Sequence, residues 1–275
     1  MKFFILILAG AAMADPVPSP PPEAEDRILS HCRSLSHIIS SGNWHNTSNI
    51  PFFRVLPPET FRERAEYLGL DEHIDLKAIG HWIHRATVHP LRPVLIEVGG
   101  GYGRVIEYLM QEYHHADLLT FEHVPTYARM LENRFGDFEN VRVFARGFME
   151  RIPRFRRGYL RADAIFFLWS TFIEFNHREQ RSVARRIKRL LRSEGVAFID
   201  LPVNDESGGL GKMIINGSAV GDEVSHNVNG RVWHGFIPTS NYLHEMMEGA
   251  GLKCLDEIHS TLHNAPPPTP PHPHT

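Results

Sequence analysis

A cluster of glycines directly behind an acidic residue is the part of this chain best suited to bind a ligand. Gly99, Gly101 and Gly103 follow the apolar run 94–98, which carries Glu97, and a helical pattern starts at Arg104. Glycines let the backbone approach a ligand closely, and the free N–H groups of the following helix attract polar groups. The spacing indicates a nucleotide-type ligand, although a tight strand-to-helix turn without a ligand would use the same residues.

Two classes of nucleotide-type ligand fit this turn unequally. The NAD fingerprint fails because Arg104 stands where the third glycine is needed. The spacing Glu-x-Gly-x-Gly-x-Gly resembles the first motif of class I S-adenosylmethionine-dependent methyltransferases. The resemblance implies that Glu97 orients the cofactor's ammonium group, and that the glycines, with Tyr102 among them, make room for its methionine half. A carboxylate suits this zwitterionic cofactor, S-adenosyl-L-methionine, but would repel a pyrophosphate.

The next two strand ends carry further candidate cofactor residues. The second strand, 118–121, ends at Glu122, about twenty residues after the glycines, where a carboxylate suits ribose hydroxyls. The resemblance gives Glu122 that role, and the alternative is a surface acid. The family's usual aspartate after the third strand, which contacts the adenine amine, is absent, because the chain reads Arg146-Gly147-Phe148. We expect backbone groups near Phe148, or its ring, to contact the adenine instead.

The fourth strand, 162–168, leads into the region where the family lines the methionine and the transferred methyl group. Leu168 and Trp169 fall there. The Asp/Asn-Pro-Pro-Tyr/Phe signature of enzymes that methylate amino groups of nucleic acids is absent. Trp169, Phe172 and Phe175 either line an acceptor pocket or belong to the core, which is the commoner place for aromatic residues.

The implied reaction is an in-line displacement at the sulfonium methyl group. The leaving thioether is neutral, so the enzyme mainly positions and desolvates the nucleophile. We therefore predict no fixed catalytic residue, and Glu174, His226 and His234 are candidate bases by location only. A net charge of −3 and the aromatic pocket favour a small-molecule acceptor over a nucleic acid.

Six predicted strands alternate with helices, which indicates an α/β fold with a doubly wound, mainly parallel, Rossmann-like sheet over residues 89–262. The resemblance implies a seventh, antiparallel strand, which the pattern does not show. It is either lost or supplied by the segment 203–233, which is rich in glycine and asparagine. A segment this long without a pattern is typically a functional lid or disordered.

Residues 15–88 are predicted to form a proline-rich linker and a helical cap. Its three helices are expected at 23–40, from Pro57 to Gly69, and after a capping Asp75. In the family, such helices often cover the mouth of the active site. The alternative is that they cover one face of the sheet.

The two ends of the chain are predicted to lie outside the folded core. Residues 1–14 resemble a secretory signal peptide with an Ala12-Met13-Ala14 cleavage pattern, too short to be a stable membrane span. Export conflicts with a cofactor made in the cytosol, and the localisation stays open. Residues 263–275, rich in proline and histidine, are predicted to form a disordered tail. The two cysteines show neither a disulfide framework nor zinc spacing, and no metal is expected.

Two other classes of protein remain open. Aminopropyltransferases share the sheet and a Gly-Gly-Gly-x-Gly turn, but they would need additional acids in the pocket for a polyamine, and the sequence shows no such cluster. An exported, non-catalytic binding or interaction protein on the same scaffold would fit the signal-like N-terminus and the missing adenine aspartate.

Overall fold

The computed structural model describes residues 2–10, 49–67, 73–88, 90–150, 160–201, 217–220, 223–228 and 231–261. Within them, ten strands form a sheet of seven and a sheet of three. The strands are β1 Lys2–Gly10, β2 Val94–Val98, β3 Asp117–Phe121, β4 Val141–Phe144, β5 Ala162–Phe167, β6 Leu191–Leu201, β7 Gly217–Val220, β8 Glu223–Val228, β9 Arg231–Phe236 and β10 Leu252–Thr261.

Eight α-helices and one 3-10 helix lie in the described parts of the chain. The 3-10 helix is Thr171–Glu174. The α-helices are α1 Ile50–Phe53, α2 Pro58–Tyr67, α3 Ile74–Ala78, α4 Gly80–Thr87, α5 Arg104–Glu112, α6 Pro125–Phe135, α7 His177–Leu190 and α8 Ser240–Gly249.

The large sheet is doubly wound, as the sequence predicts. Its order is β10-β1-β6-β5-β2-β3-β4, and the strands from β2 to β6 pair in parallel. The chain moves outward from β2 through β3 to β4, and then restarts on the other side with β5. The order therefore reverses between β2 and β5, where sheets of this kind bind their ligands.

Two apolar layers enclose this sheet. On one face, α3 to α6 pack on the strands with residues such as Leu76, Ile83 and Leu109. On the other face, α7 and α8 pack with residues such as Ile187 and Met247. The central strands are therefore buried on both sides, which is why their sequences show continuous apolar runs rather than alternation.

The seventh strand is β1. It pairs antiparallel with both β6 and β10, with Ile5 opposite Asp200 on one side and Ile258 on the other. Its side chains alternate between the two core layers: Leu6 and Leu8 face one, Ile5 and Ile7 the other. Both predictions for this strand are wrong, because it is neither lost nor supplied by the segment 203–233.

The apolar run that resembles a signal peptide is the same segment as β1. Cleavage after Ala14 would remove the whole strand and leave β6 and β10 without their shared partner. Export therefore stays a prediction. The first predicted helix and the tail lie outside the described residues, in the ranges 11–48 and 262–275.

The described parts of the glycine-rich segment are not a simple loop. β7, β8 and β9 form an antiparallel sheet of their own, with Ser225 opposite His234 in the β8–β9 pair. The prediction of a segment without regular structure is therefore wrong for these residues. None of the helices described has both the length and the apolarity needed to cross a membrane.

If β1 is part of the folded core, shortening Leu6 must destabilise the protein. Leu6 is fully buried, and Leu6→Ala is expected to lower the free energy of unfolding by about 2–5 kcal/mol, because it leaves a cavity. Leu91→Ala is the matched control, since Leu91 is 100% exposed. Denaturant unfolding measures both variants. Equal stability of the two would contradict the position of β1.

Candidate functional site

The predicted cofactor residues lie along one edge of the sheet, where the parallel strands end. Glu97 is in the last part of β2, Glu122 directly follows β3, and Leu168 and Trp169 directly follow β5. The pairing of Glu97 with Thr120 and Phe166 places the ends of these three strands side by side. The structure thus brings together residues that are more than 70 positions apart in the sequence.

The glycine turn is open to solvent at one position. Gly99, Gly101 and Gly103 have φ angles of +79°, +52° and +93°, which L side chains rarely adopt. A Cβ atom at Gly99 would collide with Thr171, and one at Gly103 with Phe135. A Cβ atom at Gly101 would meet nothing nearer than 3.9 Å. The crevice between the strand ends is therefore free above Gly101.

Glu122 fixes the shape of this turn. Its carboxylate accepts hydrogen bonds from the backbone N–H of Gly101, at 2.9 Å, and of Val124, at 2.7 Å. Burial raises the pKa of Glu122 to about 7, although these bonds favour the charged form. Each carboxylate oxygen has a second lone pair, so the group can still accept hydrogen bonds from ligand hydroxyls.

Glu97 lies almost completely buried beside the turn. It accepts a hydrogen bond of 2.9 Å from the Thr120 hydroxyl. Burial raises the pKa of Glu97 to about 8, against the opposing effects of Thr120 and the Arg104 charge. A cationic group of a ligand in the crevice would favour the ionised carboxylate.

The turn after β5 has a strained backbone. Trp169 and Ser170 have φ angles of +51° and +65°, although neither is a glycine. Asp200 holds this turn: its carboxylate accepts from the N–H of Trp169, and its backbone carbonyl from the N–H of Ser170, both at 3.1 Å. Such strain is typical of functional sites. Sequence reasoning missed Asp200, although a buried acid at the end of a strand is a usable signal.

The first helices of the described chain cover the mouth of the crevice. Ala65 of α2 packs with Tyr102 and Trp169, whose rings meet edge to face at 6.3 Å. The Tyr127 hydroxyl donates to the Leu56 carbonyl at 2.8 Å. By contrast, α3 and α4 cover a face of the sheet. Among the described helices, α2 thus lies beside the glycine turn, and α3 and α4 lie on a face of the sheet.

The sequence predicts Asp75 as the N-cap of α3, and this prediction is wrong. His73 occupies the N-cap position, and Asp75 lies in the first turn. Its two carboxylate oxygens each accept a bond of 2.7 Å from the guanidinium of Arg104, the first residue of α5. With exposures of 5% for Arg104 and 9% for Asp75, this ion pair is buried. It ties α3 to the start of α5, directly after the glycine turn.

The Phe148 ring belongs to the core. It is 2% exposed and meets Phe121 and Phe167 edge to face, at 5.7 and 5.2 Å. The guanidinium of Arg186 lies over it, 5.1 Å from the ring centroid. Packing thus occupies the ring, which leaves the backbone near Phe148 as the predicted contact to adenine.

Among the three candidate bases, Glu174 has the clearest surroundings. The side chains of Asn49 and Trp233 hydrogen-bond to it. Asn49 also exchanges two hydrogen bonds with the backbone of His234, at 2.8 and 2.9 Å, which fastens β9 beside the 3-10 helix. Burial, with the Glu122 charge as a further cause, raises the pKa of Glu174 to about 8. The side chain of His226 lies outside the described residues.

Of the three aromatic residues predicted to line an acceptor pocket or to belong to the core, two pack in the core and one lies near the crevice. Phe172 is fully buried in the core layer, and Phe175 packs half-buried against Phe167. Only Trp169 lies beside the mouth of the crevice.

No protein-family model matches this chain. No curated protein sequence matches it either. Three solved structures illustrate the likeness that a structure comparison finds. A 1,6-didemethyltoxoflavin-N1-methyltransferase from Burkholderia thailandensis is 18% identical, with 86% of this chain and 81% of that chain covered and a TM-score of 0.44.

The other two are an amino pentose methyltransferase and a cyclopropane synthase. The former, CalS10 from Micromonospora echinaspora, is 16% identical over 65% of this chain and 82% of its own, with a TM-score of 0.47. The latter, MmaA2 from Mycobacterium tuberculosis, is 15% identical over 66% and 61%, with a TM-score of 0.45. These values are too low to assign a function.

Removing one partner of the buried ion pair is expected to be costly. Asp75→Asn leaves the Arg104 charge buried without its counterion, and the free energy of unfolding should fall by about 3–5 kcal/mol. Asp117→Asn is the matched control, because its pair with Arg92 is exposed, at 39% and 59%, and should cost less than about 1 kcal/mol. Denaturant titration compares them, and similar losses would refute a structural role for the buried pair.

The buried acids predict how stability depends on pH. Because the folded-state pKa values of Glu97 and Glu122 are raised to about 8 and about 7, the folded protein binds protons more strongly than the unfolded chain. Their contribution to stability is present at acidic pH, below the ordinary carboxyl range, and is lost as the pH rises through 7–8.

Denaturant unfolding of the ligand-free protein between pH 5 and pH 8.5 tests this effect. The Glu97→Gln variant should lose less stability over this range than the wild type, and the exposed control Glu112→Gln should follow the wild type. A Glu97→Gln profile that parallels the wild type would show that burial of this acid does not raise its pKa.

Proposed function

We propose that this protein is an S-adenosylmethionine-dependent methyltransferase that acts on a small-molecule acceptor. The observation that carries the proposal is the open position above Gly101, which lies between two buried acids, Glu97 and Glu122, at the ends of adjacent strands. Bare backbone with one carboxylate on each side suits a ligand that combines a cationic amino acid with a ribose.

The positions of these residues define one orientation for the bound cofactor. Its ammonium group lies near Glu97, its ribose hydroxyls bind Glu122, and the glycine turn before α5 accommodates the chain between them. Tyr102, Leu168 and Trp169 border the methionine and methyl end. The adenine lies toward the backbone near Phe148. In this arrangement the ammonium charge offsets the desolvation of the Glu97 carboxylate.

The reaction depends more on positioning the nucleophile than on general acid–base catalysis. The acceptor's nucleophile attacks the sulfonium methyl in line, the carbon–sulfur bond breaks, and neutral S-adenosylhomocysteine leaves. The cap helices over Tyr102 and Trp169 exclude water, which removes the solvation shell of the nucleophile. The strained turn held by Asp200 fixes Trp169 at the methyl end.

Glu174 is the residue best placed to take the acceptor's proton. Its pKa of about 8 is close to neutral pH, which suits a general base. Asn49 and Trp233 orient it. The charge of Glu122 contributes to the raised pKa of Glu174, so the two carboxyl groups lie close enough to interact. An acceptor with an amine or hydroxyl group matches these surroundings.

Calorimetry with four ligands tests the cofactor. Micromolar binding of S-adenosylmethionine and S-adenosylhomocysteine is the expected result. Tighter binding of decarboxylated S-adenosylmethionine would instead indicate an aminopropyltransferase, and binding of NAD a dehydrogenase-type site. No binding of any of the four would overturn the proposal in favour of a non-catalytic interaction protein.

Variants of the site sharpen this test. Glu97→Gln should weaken binding of S-adenosylmethionine by about 10- to 100-fold, the value of a charged hydrogen bond. It should leave the affinity for 5′-methylthioadenosine, which lacks the amino-acid end, unchanged. Glu122→Gln should weaken the binding of both ligands. Gly101→Ala should abolish binding of both ligands but lower the free energy of unfolding by only about 1–2 kcal/mol, the cost of a left-handed alanine. Glu112→Gln is the exposed control, and equal losses for both ligands in Glu97→Gln would contradict the assigned role.

A further inference from the structure

A cluster of three potential metal ligands lies far from the crevice. His244 is on α8, and Cys254 and Glu257 are on β10. One ligand atom from each residue lies within 4.8 Å of the other two. In the sheet, β10 and β2 are four strand spacings apart, so their axes are about 19 Å from each other. The cluster is therefore a separate site.

A β-bulge creates this cluster. Residues three apart on a regular strand face opposite sides of the sheet. The register shifts between Ile7 and Leu8, so that Asp256 and Cys254 have partners on β1 and Leu255 has none. The extra residue reverses the alternation after Cys254. Cys254 and Glu257 consequently face the same side, toward α8.

The two faces of β10 confirm this reversal. Before the bulge, Leu252 and Cys254 pack in the layer that contains α8. After it, Ile258 packs in the opposite layer, and Asp256 accepts a bond from the Trp82 indole of α4 on that side. Glu257, between them, points back to α8 and contacts His244.

The donor atoms fit a thiophilic cation. The Cys254 Sγ is 3.8 Å from the Glu257 Oε1, which is 2.5 Å from the His244 Nε2. A tetrahedral zinc site with bonds of about 2.0–2.3 Å requires ligand atoms about 3.3–3.8 Å apart. The His244–Glu257 distance has to increase by about 1 Å on that geometry, and the Cys254–Glu257 distance already matches it. All three ligand atoms lie within 4.8 Å of one another. Hard cations such as Mg²⁺ take oxygen ligands and do not match sulfur and nitrogen.

We propose that His244, Cys254 and Glu257 bind one Zn²⁺ ion, with water as the fourth ligand. His244 and Glu257 have side-chain exposures of 28% and 30%, which leaves room for that water and for entry of the ion. On binding, Zn²⁺ replaces the thiol proton and the proton between His244 and Glu257, and both protons pass to solvent. The ion links α8 to the edge strand β10.

Cobalt substitution of the reduced, full-length protein tests the site. Co²⁺ is expected to give a thiolate-to-cobalt charge-transfer band that saturates at one equivalent per chain and disappears when Zn²⁺ is added. Zn²⁺ should also raise the melting temperature of chelator-treated protein. The absence of the band, or of any thermal shift, would overturn the proposal.

Variants assign the ligands. Cys254→Ser should lose the band, and His244→Gln and Glu257→Gln should each weaken zinc binding at least about tenfold. Cys32→Ser is the thiol control, and the pair His272→Gln and His274→Gln controls for the histidines near the C-terminus; both should keep the band. A band that survives in Cys254→Ser, or is lost only in the control variants, would refute the assignment. Circular dichroism of each metal-free variant checks its folding, and if Cys254→Ser fails to fold, an unchanged zinc affinity of His244→Gln refutes the proposal instead.

Discussion

The desolvation of carboxylic acids at the edge of a parallel sheet is the constraint on which this molecule depends. Glu97, Glu122, Glu174 and Asp200 all have raised pKa values because burial penalises their charge. Each acid is held by donors from a neighbouring element: a threonine hydroxyl, glycine and tryptophan N–H groups, or an asparagine side chain. The cost of burying several acids together is offset most directly by a cationic ligand.

The cap, the glycine turn and the strained turn after β5 form one connected unit around these acids. Arg104 begins α5 directly after the last glycine and binds Asp75 of the cap. Trp169, held by Asp200, packs with Tyr102 of the turn. Displacing any of these elements would disturb the others, so the shape of the crevice is a property of the whole edge.

The sequence predicts what depends on local patterns and fails where distant segments meet. The apolar runs and the glycine spacing are local, and the structure confirms the strand and the helix that they predict. The partners of β1 lie far along the chain, and its apolar run is indistinguishable from a signal peptide. Likewise, nothing local shows that Asp75 meets Arg104, that core packing encloses Phe148, or that a bulge turns Glu257 toward His244.

The pairing of β1 also constrains how the protein reaches its fold. Ile5 and its partner Asp200 are about 195 residues apart, and β10 lies later still. During synthesis this apolar strand leaves the ribosome long before either neighbour exists, so it must wait without a template. Such distant pairing makes folding slow. Until β10 has been made, this exposed apolar segment is therefore a site where the nascent chain can aggregate.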